Sequence, residues 1–489
     1  MDRPFIDGPG MASFTYGDFD RAVAALSGAL AERGLQRGDR VVVRMEKSPW
    51  LVALYFACLR AGVVFVPVDP HAPDAELARL VADADPALCV DESKAADAPA
   101  GALPRATLDA RGGGTLLERA AAAGSVPMAD VLPSEPAVIV YTSGSTGLAK
   151  GVTWSHGLMC ANAGAQYGQW GFSADDLFLH AMPLFHSHGL SVGFNSTLMA
   201  AGRVRLLGRF QVNEVVRQLA QCTVFSGVPT MYVRLLESPL LTREACRGMR
   251  LFLSGSAGLP EAVCAAFEAR TGHRILEFYG TTETGTLAGN PLQGKRISGT
   301  VGRVLPGVEL KVAGADGGEV PPGEVGEVRV RKPELFSGYW RQPRETAEHY
   351  AEDGSFRTGD LATLDAEGYL RLVGRTREVI VSGGYKIYPR EIEMALNRLP
   401  GIRQSVAFGV PHPSLGEAPV ALVVTAEANM STEEGLLRAI ADELPAHKRP
   451  RRIVPVEDLP RSSAGKVDVK GLRRTYRALF VAPATALDP

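Results

Sequence analysis

The sequence predicts an α/β protein: a large N-terminal domain of helix-covered sheets with a small β unit, then a smaller α+β C-terminal domain. Three observations carry this. Helix-like and strand-like patterns alternate through the N-terminal part, the signature of parallel sheets layered with helices. From about Gly299 the texture changes to short apolar runs separated by Pro and Gly. At 489 residues the chain is too long for one ordinary core, because domains cluster near ~100–150 residues.

In order, residues 18–33 have the Ala/Leu spacing of an amphipathic helix, stopped by Gly34. Residues 40–44 read as a short buried strand, 51–61 as a helix closed by Gly62, and 63–68 as a second strand. The alternation repeats through 75–84 and 87–90. Residues 95–133 are Ala/Gly-rich with weak periodicity and read as a surface connection. Residues 137–141 form a strongly apolar strand that runs into a glycine-rich turn. Alternation resumes over 177–277. Runs at 308–312 and 327–330 then read as a small antiparallel β unit. A boundary falls near Gly374–Arg377, dividing the chain into 1–375 and 376–489. Beyond it, 391–399 read as helix, 403–410 and 418–424 as strands, and 432–444 as helix, a module of about 100 residues. Residues 482–489 are expected to fray.

Composition narrows the class without choosing a function. Hydrophobic residues make up 46% and charged residues 22%, ordinary for a globular chain and contrary to general disorder. Lys and Arg total 52 against 54 Asp and Glu, a net charge of −2. That balance leaves no broad basic surface for nucleic acid and no polybasic membrane anchor. The six cysteines, 58, 89, 160, 222, 246 and 264, form no C-x-x-C pair, so buried reduced thiols are expected rather than disulfides or a zinc site. The start, MDRPFIDGPG, lacks a basic region followed by an apolar stretch. The apolar segment 50–68 is broken by Arg60, Gly62 and Pro67, well short of the ~20 residues a membrane span needs. A cytoplasmic protein is the expectation.

The informative segment is Tyr141-Thr-Ser-Gly-Ser-Thr-Gly-Leu-Ala-Lys150-Gly151. A strand ending in small hydroxyl residues and glycines lets backbone N–H groups wrap a phosphate, and Lys150 adds a mobile cation. It is not a Walker loop, which needs Lys directly after the second Gly and then Ser or Thr. The string resembles the phosphate loop of the adenylate-forming superfamily, which includes acyl-CoA synthetases, nonribosomal-peptide adenylation domains and firefly luciferase. Tyr279-Gly-Thr-Thr-Glu283-Thr is similar to that family's Y-G-x-T-E motif, and Phe356-Arg-Thr-Gly-Asp360-Leu to its R-T-G-D segment. Leu372-Val-Gly-Arg375 and Ser382-Gly-Gly-Tyr-Lys386-Ile-Tyr-Pro-Arg-Glu391 resemble its hinge and following loop. Pro460-Arg-Ser-Ser-Ala-Gly465-Lys466 resembles its C-terminal lysine motif.

The resemblance implies ATP-dependent activation of a small-molecule carboxylic acid through an acyl-adenylate, with Mg²⁺. The acyl group would then pass to coenzyme A or to the phosphopantetheine of an acyl carrier protein. A non-catalytic nucleotide-binding homologue is the remote reading. The C-terminal part would be a mobile lid turning about Arg377, in a monomer or homodimer. Thr142, Ser143, Gly144, Ser145, Thr146, Gly147 and Lys150 would hold the triphosphate. Ser256 and Ala257 would line adenine, and Tyr279 would offer it an aromatic face. Thr282 would stand with Thr142 beside the metal and phosphates. Glu277, Phe278, Gly280, Thr281, Leu372 and Lys386 would also contact the nucleotide. Asp360 would accept the ribose hydroxyls, beside Arg375. Glu283 and Thr142 would hold the metal, which prefers oxygen ligands. Lys466, with Glu283, Thr142 and Lys150, would carry catalysis by meeting charge that builds at the carboxylate–phosphate junction.

Ser382, Gly383 and Gly384 would face the thiol. His186, Ser187, Arg234, Ser254, Phe278, Gly280 and Thr281 would line the acyl pocket. His186 and His188 lack a third ligand at metal spacing, and Ser256 lacks a nucleophile elbow. The cluster 447–452 reads as a solvated basic face, or as help for the phosphates of coenzyme A. Within the superfamily the texture resembles malonyl-CoA synthetases. There an arginine precedes Y-G-x-T-E and can pair with the second carboxylate of malonate, whereas this chain has Phe278. Losing that guanidinium makes the pocket apolar and implies a monocarboxylic acid. Val381, where many relatives carry lysine, is a second departure.

Overall fold

The computed structural model describes residues 2–92, 103–118, 127–143, 149–425, 432–441, 443–461 and 466–480. Four sheets organise them. The first has six strands in the order Arg105–Thr107, Leu88–Asp91, Arg40–Arg44, Val64–Pro67, Pro136–Ser143 and Ala149–Ser155. All neighbours run parallel except the last pair, an antiparallel hairpin. The second has nine strands, with a parallel centre of Leu177–His180, Arg203–Leu206, Val224–Gly227, Leu251–Ser254 and Ile275–Thr281. A third, four-stranded antiparallel sheet joins Glu309–Ala313, Gly326–Arg331, Phe356–Leu364 and Leu370–Arg375. The fourth is built on Ile402–His412 and Gly416–Thr425 in the C-terminal part.

Local chemistry accounts for these elements. Thr15 caps helix Tyr16–Glu32 through a reciprocal capping box with Asp18. Ser48 caps helix Pro49–Ala61, Pro49 occupies its first turn, and Gly62 ends it in the left-handed region. Val41, Val42 and Val43 are all buried, because helices cover both faces of that sheet. Hence the strand reads as a continuous apolar run rather than an alternation.

Several expectations change. The segment 95–133 is more than a connection, since Arg105–Thr107 adds a parallel edge strand to the first sheet. Three residues with polar ends are too short to show a period. The apolar strand after it spans Pro136–Ser143, and the glycine-rich segment that follows lies outside the described residues. Ala149–Ser155 then returns beside the strand, pairing Thr142 with Lys150. The helix expected over 432–444 spans only Glu433–Ile440. The short strands Pro4–Asp7 and Phe14–Thr15 left no signal. Residues 482–489 lie outside the described residues. Cys58, Cys89, Cys222 and Cys246 are buried free thiols, Cys264 is half-buried and Cys160 is exposed. Among the described residues no helix is long and apolar enough to cross a membrane.

Candidate active site

A cleft of about 3040 Å³ opens where the sheets meet, lined also by the C-terminal part. Its walls follow the carboxyl ends of the parallel strands: Met45 and Lys47, Asp69, Thr142, residues 181–188, Val228, Ser256 and Tyr279. Open α/β sheets place ligands outside the carboxyl ends of their strands.

One end is built on Asp360. Strands Phe356–Leu364 and Leu370–Arg375 pair Asp360 directly with Arg375, whose Nε lies 2.9 Å from Oδ1. The buried Tyr279 hydroxyl donates to Oδ2 at 2.8 Å. The first cause of the raised Arg375 pKa is this Asp360 charge, and burial drives the Tyr279 phenol well up. Tyr279 is buried among Leu287, Ala288 and Val301 and still lines the cleft. Gly280 sits at a bulge, where a Cβ would overlap the Gly285 carbonyl. Leu372 lines the same wall, and the exposed Ser256 and Ala257 form its turn. Glu277 lies behind that turn, where its carboxylate accepts the Leu259 and Gly299 N–H groups at 3.2 Å each. Burial pushes it up to about 7.

Thr142 and Lys150 face each other across the hairpin that opens into the cleft. Gly144, Ser145, Thr146 and Gly147 lie outside the described residues, as does the side chain of Ser143. Lys150 is not free: it is ion-paired with Glu345 and sits 5.2 Å from the Tyr339 ring centre. Glu283 accepts the Tyr339 hydroxyl at 2.9 Å, while Thr282 is held by Trp154 Nε1 donating to its carbonyl at 2.6 Å. Among the described residues no three His, Cys, Asp or Glu gather as a metal site. The oxygen donors of Glu283, Thr282 and Thr142 therefore fit Mg²⁺ only in company with phosphate oxygens.

The acyl wall centres on Phe278, whose ring meets Trp170 and His188 edge-on, each at 5.3 Å. His188 contacts Ser226 Oγ at 2.7 Å through Nε2 and Ser256 Oγ at 3.0 Å through Nδ1. Burial first, then the Lys466 and His186 charges, lower it to about 3, so it is a neutral wall. His186 is held to about 4 by burial and Lys466 against the pull of Asp69. Its Nε2 is buried with no hydrogen-bond partner among the described residues. Ser187 Oγ meets Thr282 Oγ1 at 3.1 Å, and Thr281 N donates to Thr284 Oγ1 at 3.0 Å. Arg234 is exposed and stacks over Phe210 at 5.1 Å. Ser254 is buried behind the wall, its hydroxyl unpartnered among the described residues.

Lys466 enters the cleft from the C-terminal part. Although solvent still reaches it, desolvation and Arg375 lower its pKa, while Asp360 and Glu283 oppose them. Arg377 lies in the turn Thr376–Glu378 and also lines the cleft. Ser382, Gly383, Gly384 and Lys386 do not line it. The two glycines, with φ of 57° and 86°, form the hairpin turn between Ile380–Ser382 and Tyr385–Ile387.

Sequence reasoning missed the groups that hold this site from a distance. The buried Lys47 donates to Met182 O at 2.8 Å and lies 3.4 Å from His180 Nδ1. His180 Nε2 in turn meets Gly189 O at 2.8 Å, so the two fix the loop bearing His186 and His188. Tyr339, Glu345 and Asp69 were missed as well. Only an apolar setting around Lys47, the run 41–54, hinted at its burial.

Against known proteins, residues 1–340 match the family model described as AMP-binding enzyme, and 391–466 the AMP-binding enzyme C-terminal domain. A malonate–CoA ligase of Arabidopsis thaliana is 36% identical over 70% of this chain, which spans only 61% of that enzyme's length. A feruloyl-CoA synthase of Amycolatopsis is 32% identical, over 96% of this chain and 95% of the other. The crystal structure of ATP-bound MatB from Rhodopseudomonas palustris superposes with a TM-score of 0.93 at 37% identity, covering 98% of this chain and 97% of that one.

Proposed function

The chain belongs to the AMP-binding enzyme family, and from that premise we propose that it ligates a carboxylic acid to coenzyme A in two steps. In the first, the acid's carboxylate attacks the α-phosphorus of ATP. The bond to the bridging oxygen breaks, pyrophosphate leaves, and an acyl-adenylate remains. In the second, a thiol attacks the acyl carbon, its proton goes to solvent or a basic side chain, and AMP leaves.

One observation carries this reading: Lys466, from the C-terminal part, shares a cleft with the Asp360–Arg375 pair and Glu283, and their charges act on it. Asp360 is suited to the ribose, because each carboxylate oxygen keeps a lone pair after binding Tyr279 and Arg375. Glu283 and Thr142 would hold Mg²⁺, which would supply charge neutralisation at the phosphates. The Lys466 ammonium would meet the charge that develops on the oxygens at phosphorus, where a placed cation acts most.

The acid itself reads as a monocarboxylate. Phe278 between Trp170 and a neutral His188 offers a second carboxylate no partner, and burying one unpaired costs several kcal/mol. Relatives named for malonate and for ferulate bracket the range. The test is pyrophosphate release from ATP with hexanoate, benzoate, phenylacetate, cinnamate, ferulate and malonate, each with and without coenzyme A. The expectation is release with a monocarboxylate and a thioester only when coenzyme A is present. Efficient turnover of malonate would overturn the reading of Phe278. Acid-dependent release without a coenzyme A thioester would point to a carrier-protein acceptor.

A further inference from the structure

The C-terminal helix Pro389–Arg398 touches the N-terminal part at one unusual place. Arg390 lays its guanidinium on the α-carbon of Gly258, so closely that a Cβ at 258 would overlap it. Gly258 belongs to the turn after strand Leu251–Ser254, next to Ser256 and Ala257. Both residues of the contact line the cleft. The Arg390 charge bears on two carboxylates that flank the junction, the buried Glu277 behind the turn and the half-buried Glu393 on its own helix. One helical stretch away, Arg398 Nη2 lies 3.8 Å from Glu261 Oε2, and Arg371 Nη1 lies 3.6 Å from the other oxygen. Helix Pro389–Arg398 also packs against helix Glu261–Thr271 and strand Leu370–Arg375.

These contacts have a directional meaning. Helix Pro389–Arg398, the Gly383–Gly384 hairpin and strand Ile402–His412 share one sheet-and-helix unit with a common core of Ile380, Ile387, Ile392 and Leu396. Such a packed unit moves as a body. If it turns to bring the hairpin to the cleft, Arg390 must leave Gly258 and Arg398 must leave Glu261. The guanidinium is planar and lies flat on a residue without a side chain, so this seat exists only for the arrangement seen here.

We propose that Arg390 is a positioning residue for adenylate formation: seated on Gly258, it holds the C-terminal part in the arrangement that keeps Lys466 in the cleft, and leaves that seat for the thiol step. The proposal rests on the two-step reading given above. The seat also ties lid to ligand, because the turn that carries Gly258 is the one that would line adenine.

The experiment separates the half-reactions. ATP–pyrophosphate exchange with benzoate, phenylacetate, cinnamate and hexanoate as probes reads the first. Thioester formation from coenzyme A and the chemically prepared adenylate of the best probe reads the second. In Arg390→Ala and Gly258→Ala, exchange falls at least about tenfold, as displaced catalytic groups cause, while the second rate holds within about twofold. Arg390→Lys does not restore exchange, because an ammonium lacks the planar face. Glu261→Gln, which touches only the outer pair, gives a smaller loss of the same sign and carries the test if the other variants fold poorly. Unchanged exchange in Arg390→Ala, or equal loss in both half-reactions, overturns the proposal and leaves the two-step reading standing. No exchange by the wild-type protein with any probe overturns the reading itself, and the proposal with it.

Discussion

Lys466 and His188 line the same cleft, and their surroundings set different expectations. Lys466→Ala should slow acid-dependent ATP–pyrophosphate exchange by about 10²–10³-fold, the usual cost of removing one group aimed at developing charge. Thioester formation from supplied adenylate should change little, and equal loss of both rates would contradict its placement. His188 matters through burial. Its folded pKa of about 3 lies below the unfolded 6.5, so its contribution to stability is intact above 6.5 and is lost as pH falls towards 3. His180 and His186 shift in the same direction, whereas Glu277 and Glu393, raised to about 7, have the opposite slope between their unfolded value and 7. The clean measurement is therefore a difference: unfolding midpoints of wild type and His188→Gln between pH 6 and 4.5. The variant should show a slope shallower by about 1.4 kcal/mol per pH unit; parallel slopes would mean His188 is not held neutral. Lys466 can be singled out in the sequence because A-G-K is spelled out in the chain, whereas His188 reads there only as one of a metal pair that lacks a third ligand. The neutral state of His188 is not legible, since it comes from burial and from the Lys466 and His186 charges, which surround it only in the folded protein.

Among the elements, the hairpin of Pro136–Ser143 with Ala149–Ser155 and the pair Ile275–Thr281 with Gly285–Gly289 carry most of the site. Alternation in the sequence found one strand of each and missed the returning one. An antiparallel return beside a glycine-rich turn has no period of its own when one face is buried and the other lines a cleft. The bulge at Gly280 shows how tightly the second pair is specified. Gly280→Ala should push the Gly285 carbonyl aside at a cost of about 1–3 kcal/mol and shift Thr281 and Thr282 with it. Both a lowered unfolding midpoint and a raised KM for ATP are expected; a wild-type KM would show that the pair absorbs the methyl locally. Edge strand Arg105–Thr107 escaped the sequence for a different reason, having three residues and one buried side chain.

For the whole molecule, the division into helix-covered sheets, a small antiparallel sheet and a C-terminal α+β part was legible because each has its own texture. What was illegible is everything that joins them: Arg390 on Gly258, Lys47 on the loop at 182, Tyr339 on Glu283. Such contacts pair residues with no local signal, and only the packing of sheets on one another brings them together. The Lys150–Glu345 ion pair is one more of these, and it has a cost for the substrate. Glu345 occupies, with an internal anion, the cation that an incoming triphosphate would use. A nucleotide that used Lys150 would have to win a competition against the protein's own carboxylate, which would raise the threshold for weakly charged phosphates above that for ATP. Glu345→Gln should lower that threshold by about 1 kcal/mol, roughly fivefold in KM for ATP, and should lower the inhibition constant of inorganic phosphate by at least as much. A lysine already holding a carboxylate would in this sense act as a discriminator, answering to a ligand that carries more charge than the one it holds.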